Sequence, residues 1–212
     1  MAWRSGGNSN DEMCANLHKN SIVTKASVLS ALQIVDRGFF VPEHAQASAY
    51  ADAPLRVGTL HLSAPHIYGA VLNTLEMGPG NSFLNIGSGT GYLSMVCAVL
   101  GGTTSLQHGV ECNGETFAFS QSRVAAFQTE ATTKGIKLAE VVLAQANIFD
   151  VADLEGIAAP PAFVYYDRIY VGAGCPPQLK DVLLKRLALG GILVAPVGDD
   201  LIKVRQLFGP PL

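Results

Sequence analysis

Phe83-Leu84-Asn85-Ile86-Gly87-Ser88-Gly89-Thr90-Gly91-Tyr92-Leu93 is an apolar run broken by three glycines at alternate positions and followed by helix-forming sequence. It reads as strand, tight loop and helix. Glycine admits positive φ and lets a ligand approach the main chain, while the helix that follows presents free N–H groups and the positive end of its dipole. A nucleotide-like cofactor is expected there. The spacing is Gly-x-Gly-x-Gly, and Tyr92 stands where a dinucleotide fingerprint would place its third glycine, which tilts the reading away from NAD. Glu111 closes the next apolar run, twenty positions past Gly91, where a ribose-binding carboxylate is expected. The competing reading, a surface turn and a solvated charge, does not account for the strand and helix flanks.

The 212 residues suffice for one well-buried domain and are few for two. Residues 1–60 read as a helical cover and lid, and 61–212 as a cofactor-binding sheet core. Hydrophobic residues make up 49% and charged residues 15%, a globular rather than a disordered composition. A net charge of −3 without any Lys/Arg cluster argues against a nucleic-acid partner. The N-terminus lacks a signal-peptide core, and no apolar run reaches the ~20 residues of a membrane span, so a cytoplasmic protein is expected. Cys14, Cys97, Cys112 and Cys175 have no CxxC spacing, and His18, His44, His61 and His108 no metal-ligand spacing. Neither a disulfide nor a metal is expected.

Asn10 to Lys19 and Thr24 to Asp36 have helical spacing, with Val28, Leu29, Leu32 and Val35 on one face of the second. Gly38 to Leu60 reads as a long loop, the length of a lid or binding segment. Leu62-Ser63-Ala64-Pro65-His66 opens a helix with Ile67, Val71, Leu72 and Leu75 at helical spacing, and Ser63 is its N-cap candidate. A strand ending at Glu111, a helix over 114–132, and buried strands at Val141 to Ala144 and Ala162 to Val171 follow. Leu179 to Leu189 is amphipathic and stopped by Gly190-Gly191; Ile192 to Ala195 is a fifth strand and Leu201 to Leu207 a sixth. Alternation of strand and helix predicts a doubly wound α/β fold with a mostly parallel sheet and a ligand beyond the strands' carboxyl ends.

Asn85 to Gly91 followed by Glu111 resembles the first motif and ribose acid of S-adenosylmethionine-dependent methyltransferases. Met1 to Gly7, Ile34 to Arg37, Leu62 to His66, Tyr166 to Ala173 and Leu189 to Gly198 resemble protein L-isoaspartyl (D-aspartyl) O-methyltransferases, in the same order, across nearly the whole chain. The resemblance implies a Rossmann-like methyltransferase fold. It also implies transfer of a methyl group from S-adenosyl-L-methionine to the side-chain carboxyl of isoaspartyl residues in damaged proteins, with S-adenosyl-L-homocysteine as product. It places Ser63 against the reacting carboxyl. Ala64, Pro65, His66, Gly172 and Ala173 would bind substrate, and Asn85, Gly87, Ser88, Gly89, Gly91, Glu111 and Gln145 the cofactor. Without the resemblance, Ser63 would be read as an ordinary helix cap, while Gly172-Ala173-Gly174 reads equally as a substrate floor or as a plain strand-to-helix turn.

Three features depart from the family pattern. Asn85 replaces a typical Asp, Gln145-Ala146 replaces an acidic-Gly pair at the adenine, and the C-terminal antiparallel hairpin reads as incomplete. Leu60 to Pro65, Tyr92 to Ser94 and His108 to Glu111 are similar to the isoaspartyl methyltransferase domain-containing subgroup. In that subgroup the fold is thought to serve as the substrate-recruiting arm of a ubiquitin ligase, so a non-catalytic binding module is the alternative. Isoaspartyl proteins are the expected partners of a monomer, with no nucleic acid and no membrane.

Overall fold

The computed structural model describes residues 4–148, 165–175, 177–198 and 200–207. Six strands form one sheet in the order β5-β4-β3-β6-β7-β8: β3 (Phe83–Ile86), β4 (Gln107–Glu111), β5 (Val141–Gln145), β6 (Tyr166–Val171), β7 (Leu187–Val197) and β8 (Asp200–Arg205). The first five run parallel, and β8 returns antiparallel along β7 from Ile192↔Arg205 to Val197↔Asp200. The last two described strands, expected as the fifth and sixth, thus form an antiparallel hairpin with β8 at the sheet's edge. The chain winds from β3 outward through β4 to β5, then crosses to β6 on the other side of β3. That reversal beside β3 is the switch point at which the loops after two neighbouring strands diverge and leave a crevice.

Strand alternation divides the core in two. Phe83, Tyr170, Ile192 and Val194 face a cluster built with α1 (Asn10–Lys19), α2 (Ala26–Ile34), α3 (Pro65–Leu75), α4 (Tyr92–Gly101) and α5 (Gly114–Thr133). Leu84, Ile86, Ile169, Val171 and Leu193 face a second cluster that takes Leu179 and Leu183 from α6 (Pro177–Leu184). Val28, Leu32 and Val35 are buried as the helical spacing predicts, while Leu29 packs at the margin.

Several expected elements differ. The stretch from Gly38 to Leu60 is not one loop: it holds 3-10 turns at Arg37–Phe40 and Glu43–Ser48 and an antiparallel hairpin, β1 (Leu55–Val57) with β2 (Leu60–Leu62). Single turns and three-residue strands are too short to set up a period in the sequence. Ile67 is 39% exposed, off the buried face of α3. The strand expected to be buried at 141–144 is the sheet's edge, with Val142 49% exposed. The helix expected over 179–189 ends at Leu184, because Leu187 pairs with Tyr166 and Gly190-Gly191 lie inside β7. Gly190, at φ +78°, absorbs the irregular register between Tyr166↔Leu187 and Arg168↔Ile192. Residues 162–164 of the expected fourth strand, Met1 to Trp3 and Gly209-Pro210-Pro211 lie outside the described residues.

The C-terminal end of α3 is held to the sheet. Glu76 adopts a left-handed conformation, its carbonyl accepts from Arg168 at 3.0 Å, and its carboxylate pairs with Arg205 at 2.7 Å and with Lys203. This fixes the helix whose other end carries Ser63, His66 and Tyr68 beside the crevice.

Candidate active site

A cavity of about 440 Å³ opens at the carboxyl ends of β3, β4 and β6. Its floor is the glycine loop, which supplies Gly87, Ser88 and Gly89, together with Asn85, Glu111, Gly172 and Ala173. The hairpin β1–β2 and the start of α3 supply Arg56, Thr59, His61, Ser63 and Tyr68 to the lining of the same cavity. Small-molecule sites span ~300–1,000 Å³, so the space suits a nucleoside-sized ligand.

The loop is shaped by its glycines. Gly87 and Gly89 have φ of +69° and +55°, and a Cβ on Gly89 would stand 3.0 Å from the carbonyl oxygen of His61. The hairpin thus lies directly on the loop. Gly87 N–H donates to Val110 and Gly91 N–H to Ser88, which closes the turn. Glu111, 8% exposed, takes the Gly89 N–H on Oε2 and the Asn113 N–H on Oε1, each at 3.0 Å. Hydrogen bonds to an ionised group are worth ~1.5–3 kcal/mol each, so the acid locks the loop and still has lone pairs for two ribose hydroxyls.

Asn85 is buried, donates from Nδ2 to Ser94 Oγ at 2.9 Å, and leaves Oδ1 without a partner among the described residues. Ser88 Oγ is likewise buried and unpartnered, and both residues line the cavity. A buried polar atom left unpaired costs ~1–3 kcal/mol, which a polar ligand in this cavity would recover.

The hairpin is latched to α5. Thr116 Oγ1 donates to the Thr59 carbonyl at 3.2 Å, and Thr59 Oγ1 donates to Glu115 at 3.2 Å. Arg56 and His61 are cross-strand partners on this hairpin. Burial, and then the nearby Arg56 charge, push the His61 pKa below its usual value, so the ring is neutral at neutral pH.

Ser63 does not cap α3. Ala64 occupies the N-cap position and makes no side-chain cap bond, and Pro65 fills the first turn. A proline there has no N–H and so needs no capping acceptor, and the Ser63 hydroxyl, one residue outside the cap, is not used as one. Ser63 and His61 also border a second, apolar hollow of about 320 Å³ with Pro54, Ala64, His66 and Ile67. His66 Nδ1 is 2.7 Å from Asp52 Oδ1, and the same carboxylate accepts the backbone N–H of His66 and of Ser5, each at 3.0 Å. The carboxylate is an acceptor, so Nδ1 carries the proton and the ring orientation is set.

Of the residues expected to hold a cofactor, Asn85, Gly87, Ser88, Gly89 and Glu111 share one wall. The described residues lining that cavity do not include Gly91 or Gln145. Gly91 is the N-cap of α4 at φ +86°, packed against Val124, and the Gln145 amide lies beside Gly114. Ser63, Gly172 and Ala173 line the cavity; Ala64 and His66 border the apolar hollow; Pro65 is buried and lines neither. Sequence reasoning missed Asp52, Arg56, His61, Tyr68, Thr116 and Tyr170. The alternation of Arg56 and Val57 into His61 and Leu62 around Gly58 was the one available signal for the hairpin.

A family model described as Protein-L-isoaspartate(D-aspartate) O-methyltransferase (PCMT) matches residues 8–208. The chain belongs to this family. Protein-L-isoaspartate O-methyltransferase 1 of Arabidopsis thaliana is 38% identical over 195 residues, covering 91% of this chain and 79% of that protein. Protein-L-isoaspartate O-methyltransferase of Caenorhabditis elegans is 32% identical over 203 residues, covering 93% and 81%. A solved structure from Plasmodium falciparum, described as a protein-L-isoaspartate O-methyltransferase in complex with S-adenosyl-L-homocysteine, superposes with a TM-score of 0.75. It covers 97% of each chain at 24% identity, which establishes the family's fold. The fold thus places the glycine loop, Glu111 and Ser63 around one cavity.

Proposed function

We propose that this chain transfers the methyl group of S-adenosyl-L-methionine to the free carboxyl of L-isoaspartyl residues in damaged proteins, leaving S-adenosyl-L-homocysteine. One observation carries the reading: the glycine loop, Glu111 and the hydroxyl-bearing Ser63 line a single cavity, and Ser63 also borders an adjoining apolar hollow. The residues present fit the cofactor. Glu111 offers lone pairs to a ribose, Asn85 Oδ1 and Ser88 Oγ are buried polar atoms without a partner among the described residues, and Gly87 and Gly89 line the cavity without side chains.

When bound, the cofactor supplies a methyl carbon that bonds to the carboxylate oxygen as its bond to sulfur breaks, the electron pair staying on sulfur. A carboxylate is ionised at neutral pH, so the protein needs no general base. Its task is to align and to exclude water. Ser63 donates to the incoming carboxyl, Gly172 and Ala173 form the floor, and the hairpin latched by Thr59 and Thr116 roofs the site. The substrate chain enters over Pro54, Ala64 and Ile67, and the pair Asp52–His66 holds that entrance rigid. Gln145, at the carboxyl end of β5, offers its amide to the adenine. Gly91 acts by shaping the turn.

The test is to incubate the protein with S-adenosyl-L-methionine carrying a labelled methyl group and an isoaspartyl peptide, beside the matching aspartyl peptide. Base-labile label on the isoaspartyl peptide alone is the expected outcome. Cofactor binding with no methyl ester on either peptide overturns the catalytic reading in favour of a binding module.

A further inference from the structure

Arg37 is the largest fully buried side chain, 0% exposed, and it carries a charge that no carboxylate meets within ion-pair distance among the described residues. Its Nε donates to the Ala49 carbonyl at 2.9 Å, while Nη1 and Nη2 have no hydrogen-bond partner among the described residues. What the guanidinium meets is aromatic: its central carbon stands 5.8 Å from the ring centre of Tyr68 and 5.7 Å from that of Tyr92. The two rings pack edge to face at 5.5 Å. Burying a charge costs several kcal/mol, and cation–π contacts return ~2 kcal/mol when desolvated. A methionine would fill the space more cheaply, so packing alone does not explain an arginine there.

The Tyr68 ring leads to the site. Its hydroxyl accepts the backbone N–H of Ser63 at 3.2 Å. A phenol that accepts from an amide keeps its own proton to give, and Tyr68 lines the same cavity as Ser63 and Gly172.

We propose that the Tyr68 hydroxyl, beside that of Ser63, donates to the oxygen of the substrate carboxylate that does not attack, and that Arg37 is the positioning residue for the Tyr68 ring. The inference rests on the methyl transfer proposed above. A neutral donor suits the step. The carboxylate loses its charge as the ester forms, so a cation at this place would bind the ground state better than the transition state, whereas a phenol orients the group at less cost. No proton moves, and Tyr68 ends the cycle as it began. Burial pushes the phenol pKa up and the Arg37 charge draws it back, which keeps the proton on oxygen while strengthening it as a donor.

The variants Tyr68→Phe, Arg37→Lys and Arg37→Met, and the double variant Y68F/R37M, test this. Tyr68→Phe keeps the ring and the cation contact. It is expected to lower kcat/KM for an isoaspartyl peptide by about 10- to 100-fold, the loss of one hydrogen bond to a charged group, with cofactor affinity by calorimetry unchanged. R37M is expected to lower kcat/KM in the wild-type background and to add nothing to Y68F, with R37K intermediate. Should R37M fail to fold, R37K in both backgrounds gives the same comparison. Y68F with unchanged kcat/KM overturns the role of Tyr68, and equal losses from the Arg37 variants in both backgrounds overturn its positioning role. Should the wild type transfer no methyl at all, the function proposed above fails. The peptide affinities of wild type and Y68F in the presence of S-adenosyl-L-homocysteine then decide the tyrosine: a weaker Y68F upholds it and equal affinities overturn it.

Discussion

Substituting alanine for Gly91 separates packing from ligand contact in the glycine loop. Gly91 has φ +86° and ψ −3°, a conformation that costs an L side chain ~1–2 kcal/mol. A Cβ there would stand 2.6 Å from Val124 Cγ2. A valine in a helix has one strongly preferred rotamer, so relief requires α4 and α5 to part, and overpacking of this kind costs ~1–3 kcal/mol. The lower entropy of the unfolded alanine chain returns ~0.4–1 kcal/mol. The net loss is about 1–4 kcal/mol, which at ~2–4 °C per kcal/mol for a domain of this size lowers the Tm by around 8 °C. Scanning calorimetry reads the loss, and titration calorimetry with S-adenosyl-L-methionine below the transition reads affinity, which should hold within about threefold, ~0.7 kcal/mol. Gly89→Ala is the counterpart: its Cβ would press on the His61 carbonyl at 3.0 Å within the cavity wall, so affinity should fall more than stability. A G91A protein that melts within about 1 °C of wild type yet loses most of its cofactor affinity would refute the assignment of Gly91 to packing.

Three further outcomes are expected. Ser94→Ala strands Asn85 Nδ2 on a side chain whose Oδ1 is already unpaired, and should lower urea stability by ~1–3 kcal/mol. Thr116→Val removes the bond to the Thr59 carbonyl; trypsin should then cut after Arg56 faster, and cofactor affinity should weaken by ~0.5–1.5 kcal/mol. Burial raises the Asp52 pKa, but hydrogen bonds from the His66 ring and backbone and from Ser5 outweigh it and hold the carboxyl below its ordinary 3.8. The folded value is the lower one, so the stabilisation is present above the unfolded pKa and is lost as pH falls through the folded one. The wild-type Tm should fall progressively below pH 3.8. Asp52→Asn should start lower at neutral pH and show a flatter acid limb; parallel acid limbs would count against the pairing.

Much was legible in the chain because local chemistry is enough to announce it. Three glycines at alternate positions after Phe83-Leu84-Asn85-Ile86, with Glu111 at the end of the next strand, specify a strand, a turn open to main-chain approach and an acid beside it, whatever surrounds them. The alternation of apolar runs with helical periods likewise determined a doubly wound, mostly parallel sheet. Only the tertiary structure decided the roof and the reach of the site. The hairpin of Leu55–Val57 and Leu60–Leu62 is too short to show a period, and it becomes a wall because Thr59, Thr116 and Glu115 meet across more than fifty residues. Ser63 stands one residue outside the cap of α3 and is met by Tyr68, a position that helical spacing alone assigns to the core. Arg37 sits between two tyrosines from different helices, an arrangement no local pattern encodes, because burial of a charge is settled by what the rest of the fold packs around it.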